Sequence, residues 1–170
     1  MDELVLVETR DRALGPCEKL SAHRAPLLHR AFSIFLCSQD QMLLQRRNQE
    51  KYHSGGLWAN ACCSHPRMGE SLEIAARRRM EEELGMSVPV EELFSFLYFA
   101  KFSDHLYEYE YDHVFLGRCT QIPPFNPQEI EEMRWVGFDQ LRRELVQQPQ
   151  AFSVWFLSAA PRVLDILENR

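Results

Sequence analysis

The chain has 170 residues, 45% of them hydrophobic and 26% charged, with no break in composition, which sets the expectation of one domain, 1–170, around its own core. Nineteen Lys and Arg against 25 Asp and Glu leave a formal charge of −6, which excludes a protein that grips nucleic acid through a broad basic face; an anionic ligand would need locally gathered cations. Five cysteines, Cys17, Cys37, Cys62, Cys63 and Cys119, are odd in number and lack paired CxxC spacing, so neither a disulfide framework nor a four-thiolate zinc site is expected, and a reducing, cytoplasmic setting fits.

Acids at Asp2 and Glu3 stand where a signal peptide carries bases, and no uncharged run is apolar enough to enter a membrane. Leu4–Val7 and Ala31–Cys37 are predicted strands: short, apolar and partly β-branched or aromatic. Ser38–Gln41 turns the chain into Met42–Gln45, completing a hairpin. From Tyr52 to Met68, Ser54-Gly55-Gly56 and His65-Pro66 break regular structure and predict a loop, and loops of this kind commonly carry sites. Glu70-Ser71 opens the clearest helix, with Leu72, Ala76, Met80 and Leu84 on one stripe and Gly85 at the C-cap. Leu93–Ala100 and Tyr107–Leu116 are predicted strands joined near Ser103-Asp104-His105; Glu108 and Glu110 then share one face. Met133–Val136 is a short strand, and Asp139–Val146 and Phe152–Leu167 are helices, the second expected to kink or divide at Pro161. Strands interleaved with helices make an α/β or α+β domain.

Two constellations carry chemistry. His23, His29, His65, Glu108 and Glu110 offer mixed nitrogen and oxygen ligands suited to Mn²⁺, Zn²⁺ or Mg²⁺. Taken singly, each histidine could equally be a surface or core residue, and the two glutamates the solvated face of an edge strand. The second is Ser64-His65-Pro66-Arg67-Met68-Gly69-Glu70 running to Arg78-Arg79-Met80-Glu81-Glu82-Glu83-Leu84-Gly85-Met86. It resembles a Nudix box, the loop–helix–loop that holds metal-bound diphosphates, over about 64–86. Glu70, Arg78, Met80, Glu82, Glu83, Gly85 and Met86 match in register; Ser64 stands where the first Gly belongs and Arg79 replaces a catalytic-site Glu. That exchange removes a carboxylate and adds a cation, which counts against hydrolysis and for diphosphate binding. The plain alternative is an amphipathic helix with an Arg79–Glu83 i,i+4 pair worth about 0.2–0.5 kcal/mol.

The flanks narrow the resemblance. His29-Arg30-Ala31-Phe32-Ser33, Arg46-Arg47, Leu57-Trp58-Ala59-Asn60, Cys63-Ser64-His65-Pro66, Glu108-Tyr109-Glu110 and Ala151-Phe152-Ser153-Val154-Trp155 follow the order of type I isopentenyl-diphosphate isomerases, over roughly Lys19 to Trp155. The resemblance implies a single Nudix-like domain, a mixed central sheet flanked by helices. It implies interconversion of isopentenyl and dimethylallyl diphosphate in isoprenoid biosynthesis. By this resemblance Cys63 is the catalytic thiol, acting as thiolate. Glu110, sharing its proton with Tyr98, handles the other end of the allyl unit, and Trp155 faces the cationic carbon. His23, His29, His65, Glu108 and Glu110 become ligands of one divalent metal; five residues separate His23 from His29, one fewer than the family pattern. Lys19, Arg47, Lys51 and Arg79 bind the diphosphate, and Glu83 with the Cys63 carbonyl holds the Mg²⁺ that arrives with it. Cys62 packs in the core, while His53, His105, His113 and Asp112 have no assigned role. The partner expected is thus a small isoprenyl diphosphate, with no nucleic acid or membrane insertion, and the chain a monomer. A Nudix diphosphohydrolase and an inactive diphosphate-binding module are the rival readings.

Overall fold

A computed structural model describes residues 3–170. Its elements are β1 (Glu3–Val7), β2 (Ala13–Glu18), α1 (Lys19–Arg24), β3 (His29–Cys37), β4 (Gln41–Arg47), β5 (Trp58–Ala59), β6 (Cys62–Ser64), α2 (Leu72–Leu84), β7 (Val90–Ser103), β8 (Leu106–Arg118), β9 (Ile130–Gly137), α3 (Phe138–Gln147) and α4 (Val154–Glu168). The strands join in one mixed sheet organised on β3, which runs parallel to β8 and antiparallel to β1, β4 and β6. A strand with neighbours on both edges and packing on both faces must be apolar almost throughout, and Ala31–Cys37 is so. Phe35 and Cys37 enter one core cluster, against Trp155, Phe156, Ala159 and Val163 of α4; Phe32, Ile34 and Leu36 enter the other, against Ala75, Ala76, Met80 and Leu84 of α2. Alternation along β3 therefore feeds two layers of helix, each buried large side chain contributing roughly 1.5–3 kcal/mol.

The box helix α2 begins where expected. Ser71 accepts the Ile74 N–H at its N-terminus, and Gly85 closes it at φ 67°, where a Cβ would lie 2.9 Å from the Pro124 carbonyl oxygen. Arg78 grips Glu70 through two 2.8 Å bonds and lies 3.4 Å from the His65 carbonyl, which pins the loop before the helix to its first turns.

Several expectations are corrected. The 52–68 segment is not wholly a loop: β5 pairs with β4, and β6 pairs with β3 in the register Ser33↔Cys63. β2 and α1 were not foreseen, and β3 begins at His29 rather than Ala31, β7 extends to Val90 and Ser103, and β9 to Ile130 and Gly137. α4 begins at Val154, after a single 3₁₀ turn over Pro149–Ala151, and Pro161 does not divide it. Pro161 is exposed, so its ring meets no packed neighbour on the core face, and the Leu157 carbonyl that loses a donor lies one turn earlier on the same side. No helix among the described residues is long and apolar enough to cross a membrane.

Candidate functional site

β8 turns Glu108, Glu110 and Asp112 to one face, all three buried. Buried carboxylates demand donors or cations, and three elements supply imidazoles. α1 brings His23, the first residue of β3 is His29, and the end of β6 leads into His65. The His23 Nε2 lies 2.8 Å from Glu108 Oε1, and His65 Nε2 2.6 Å from Glu110 Oε2. His29 Nε2 is 3.5 Å from Glu108 Oε2 and 3.3 Å from Glu110 Oε2. The short His23–His29 spacing is absorbed by the four residues between α1 and β3, and the two rings sit 5.1 Å apart.

This donor set fits a divalent cation. His23 Nδ1 donates to the Lys19 carbonyl at 2.5 Å and His29 Nδ1 to the Leu27 carbonyl at 2.9 Å. A neutral ring in either place would present a bare Nε2 lone pair to a carboxylate oxygen, an acceptor facing an acceptor, which only a proton or a cation can reconcile. His29 Nε2 and Glu108 Oε2 are buried and have no hydrogen-bond partner. Ligand atoms of His23, His29, His65 and Glu108 lie within 4.8 Å of one another. Glu110 stands beside this group, bonded to His65.

Charge in the cluster follows from burial set against pairing. Burial alone would raise Glu108 and Glu110, but the imidazoles of His23, His29 and His53 around the first, and of His29 and His65 beside the second, hold both well below the usual carboxylate range. Burial pushes His65 down, and it pushes His29 down too, but the two glutamates more than reverse this and bring His29 up to about 10. Asp112 goes the other way: burial and the neighbouring Glu110 raise its carboxyl, and its Oδ2 accepts from Ser33 Oγ at 2.8 Å.

A pocket with about 510 Å³ of empty space opens against this cluster. Its wall includes Cys63, Tyr98, Glu110 and Trp155, together with Lys19, Arg47, Lys51, Arg79 and Glu83. Tyr98, directly across from Glu110 in the β7–β8 ladder, donates its hydroxyl to Glu110 Oε1. Burial raises the Cys63 thiol to about 12 despite the pull of Arg47, whose Nη1 is 3.8 Å from Sγ. Trp155 donates Nε1–H to Asn60 Oδ1 at 3.0 Å, which fixes the ring, and Arg47 lies 4.9 Å from its centroid.

The cations are arranged in pairs rather than bare. Lys51 is bonded to Glu129, and Arg79 to Glu83 and, at 2.6 Å, to Glu82 Oε2. The i,i+4 pair and a place in the pocket wall thus coexist in Arg79. Arg47 is 6% exposed and its Nε has no hydrogen-bond partner. A buried guanidinium with an unused donor at a pocket wall is suited to an anion. Three residues of this region carried no sequence signal: Glu129, His53, whose Nε2 lies 2.7 Å from Glu108 Oε1, and Tyr52, whose hydroxyl is 3.2 Å from the same oxygen. Each meets its partner across dozens of residues, from a loop or turn without periodicity.

A NUDIX domain model matches residues 27–156. Among curated proteins, "Isopentenyl-diphosphate Delta-isomerase 2" of Photorhabdus laumondii is 47% identical over 158 residues, covering 92% of this chain and 89% of its own. "Isopentenyl-diphosphate Delta-isomerase 1" of Aromatoleum aromaticum is 46% identical over 169 residues, 99% of this chain and 96% of its own. Among solved structures, a Deinococcus radiodurans protein superposes with TM-score 0.77 at 26% identity, covering 95% of this chain and 98% of that one. A MutT protein from Methanosarcina mazei gives 0.65 at 16% identity, over 84% of this chain and 96% of that one, a likeness of fold alone.

Proposed function

The chain belongs to the isopentenyl-diphosphate Delta-isomerases, within the Nudix fold, and from that premise we propose that it interconverts isopentenyl and dimethylallyl diphosphate by moving protons across the allyl unit. The observation that carries the reading is Glu110, bonded to His65 on one oxygen and to Tyr98 on the other, in the wall that also holds Cys63.

Moving a double bond by one carbon needs a proton added at one carbon and another removed two carbons away, through a tertiary carbocation or something close to it. Burial pushes the Cys63 thiol up and the neighbouring imidazoles pull the Glu110 carboxyl down, so the two groups are biased toward opposite protonation states. One acid and one base facing a single pocket are the states such a reaction requires. In one direction the Cys63 thiol gives its proton to the double bond while Glu110, assisted by Tyr98, removes one from the far carbon. In the other direction both transfers run backwards. After each turnover the two groups have exchanged protonation states and reset through solvent, so solvent hydrogen enters the product. Trp155 lends a ring face to the cationic carbon, worth roughly 0.5–2 kcal/mol.

Arg47, Lys51, Lys19 and Arg79 hold the diphosphate, whose charge replaces that of Glu129 and Glu83 beside these cations. Glu83 and the Cys63 carbonyl are the groups that would then take the accompanying Mg²⁺. A divalent cation held by His23, His29, His65 and Glu108 would supply the positive charge that orients Glu110 and tunes its basicity.

The test is one incubation of protein, Mg²⁺ and isopentenyl diphosphate in deuterated water, followed by NMR. Deuterated dimethylallyl diphosphate is expected. Release of inorganic phosphate would point to a diphosphohydrolase instead, and unchanged substrate to a binding module.

A further inference from the structure

His53 is the third imidazole gathered on the Glu108 side chain, after His23 and His29. Its Nε2 is 2.7 Å from Oε1, and Ser54 Oγ lies 3.0 Å from its Nδ1. The ring is 8% exposed, stacked on Phe102 with centroids 4.4 Å apart and planes within 5°, and edge-on to Trp155 at 5.8 Å. Its carbonyl accepts from Arg47 Nη2 at 3.4 Å. The turn that delivers it is costly to make. Ser54 holds φ 56°, a left-handed conformation unusual for a residue with a Cβ, and a Cβ on Gly55 would come within 2.5 Å of the Gln49 carbonyl oxygen. Strain of this kind persists where the surroundings over-determine it, as they do at a pocket wall.

We propose that His53 is a positioning residue for the metal-holding carboxylate. The Ser54 hydroxyl donates to Nδ1, which places the ring proton on Nε2, and that N–H holds Glu108 Oε1. Oε2, the buried oxygen without a hydrogen-bond partner, is thereby the one turned toward His29. One imidazole thus joins the metal-holding carboxylate, the anion-facing Arg47 and the Trp155 wall. The inference rests on the reading of Glu108 as a metal ligand.

The test measures Mn²⁺ and Zn²⁺ affinity by competition with a chelator, on proteins whose thermal midpoints are recorded without metal. His53→Phe keeps a flat ring against Phe102 and removes the donor; it should weaken binding about 10–100-fold, the range typical for loss of an outer-shell partner. His53→Gln restores an N–H near the Nε2 position and should recover most of that loss. Glu108→Gln is the control for the reading beneath. If it binds metal normally, that reading falls. If Glu108→Gln is impaired while His53→Phe is not, or if His53→Gln is as impaired as His53→Phe, the positioning role is overturned. Should His53→Phe fail to fold, Ser54→Gly decides: it tolerates the left-handed φ and removes the hydroxymethyl group that bonds Nδ1. Weaker metal binding at an unchanged midpoint is expected there, and unchanged affinity would overturn the proposal.

Discussion

Cys62 and Cys63 are neighbours in the chain and opposites in the fold. On β6 the Cys62 side chain is buried in the core against α2, while Cys63 faces the pocket beside Arg47. Strand alternation alone separates them, and it gives one side chain to the core and the other to the pocket wall.

Replacing each in turn should separate those duties. Cys63→Ala is expected to lower kcat on the order of 10²–10⁴-fold, the usual contribution of a positioned acid or base, with the thermal midpoint nearly unchanged. Cys62→Ala should do the reverse: activity persists, and the lost packing costs about 1 kcal/mol, or roughly 2–4 °C in midpoint for a chain of this size. Near-normal turnover in Cys63→Ala would remove it from the proposed mechanism.

Tyr98 acts through Glu110 in the same scheme, and Tyr98→Phe isolates that bond. A hydrogen bond to a charged group is worth about 1.5–3 kcal/mol, so kcat should fall by about 10- to 150-fold. Metal content should hold, because His29 and His65 still face Glu110. A variant with unchanged kcat would show that the phenol is only part of the wall.

How far the sequence was legible depended on element length and on whether a partner lay nearby. α2 was readable because its apolar stripe has a period, β3 because it is a short, almost wholly apolar run, and the Glu108/Glu110 pair because alternation puts both on one face. β5 and β6 were not, since two or three residues cannot display alternation and their pairing with β4 and β3 is a tertiary fact. α1 was missed because six residues make less than two turns of pattern, and the proline and glycine of β2 argue against a strand. The ligand set came from family resemblance rather than spacing. His53 and Glu129 lay outside both, because their importance arises only when loops close over β8 and α2.

Away from the pocket, Arg134 on β9 forks onto Glu144 of α3, Nη1 to Oε1 at 3.2 Å and Nη2 to Oε2 at 2.6 Å. These bonds hold the Glu144 carboxyl below its ordinary value of 4.5. A carboxyl lowered by folding contributes stability that is fully present above the ordinary value and is lost as pH falls through the folded one. Glu144→Gln should therefore reduce the thermal midpoint at neutral pH, and the gap from the parent should close in acid, below the carboxylate range. A gap that is independent of pH would assign the effect to packing.

The metal cluster makes a prediction of opposite sign. Without metal, burial lowers His29, but the adjacent carboxylates of Glu108 and Glu110 raise it to about 10. A histidine raised by folding stabilises the metal-free protein fully below its ordinary value of 6.5, and that contribution is lost as pH rises through about 10. A metal must displace the same proton, since a ligating imidazole is neutral. His65, pushed below its ordinary value, brings no second proton at neutral pH, and Glu108 and Glu110 are already ionised. Apparent metal affinity should accordingly rise with pH between neutrality and the His29 value, by about tenfold per unit for each proton the metal displaces. Chelator competition at several pH values measures that slope, and calorimetry in two buffers of different ionisation enthalpy counts the proton released. An affinity that does not change with pH would mean that His29 is already neutral in the metal-free protein, and that the Glu108 and Glu110 charges are balanced elsewhere.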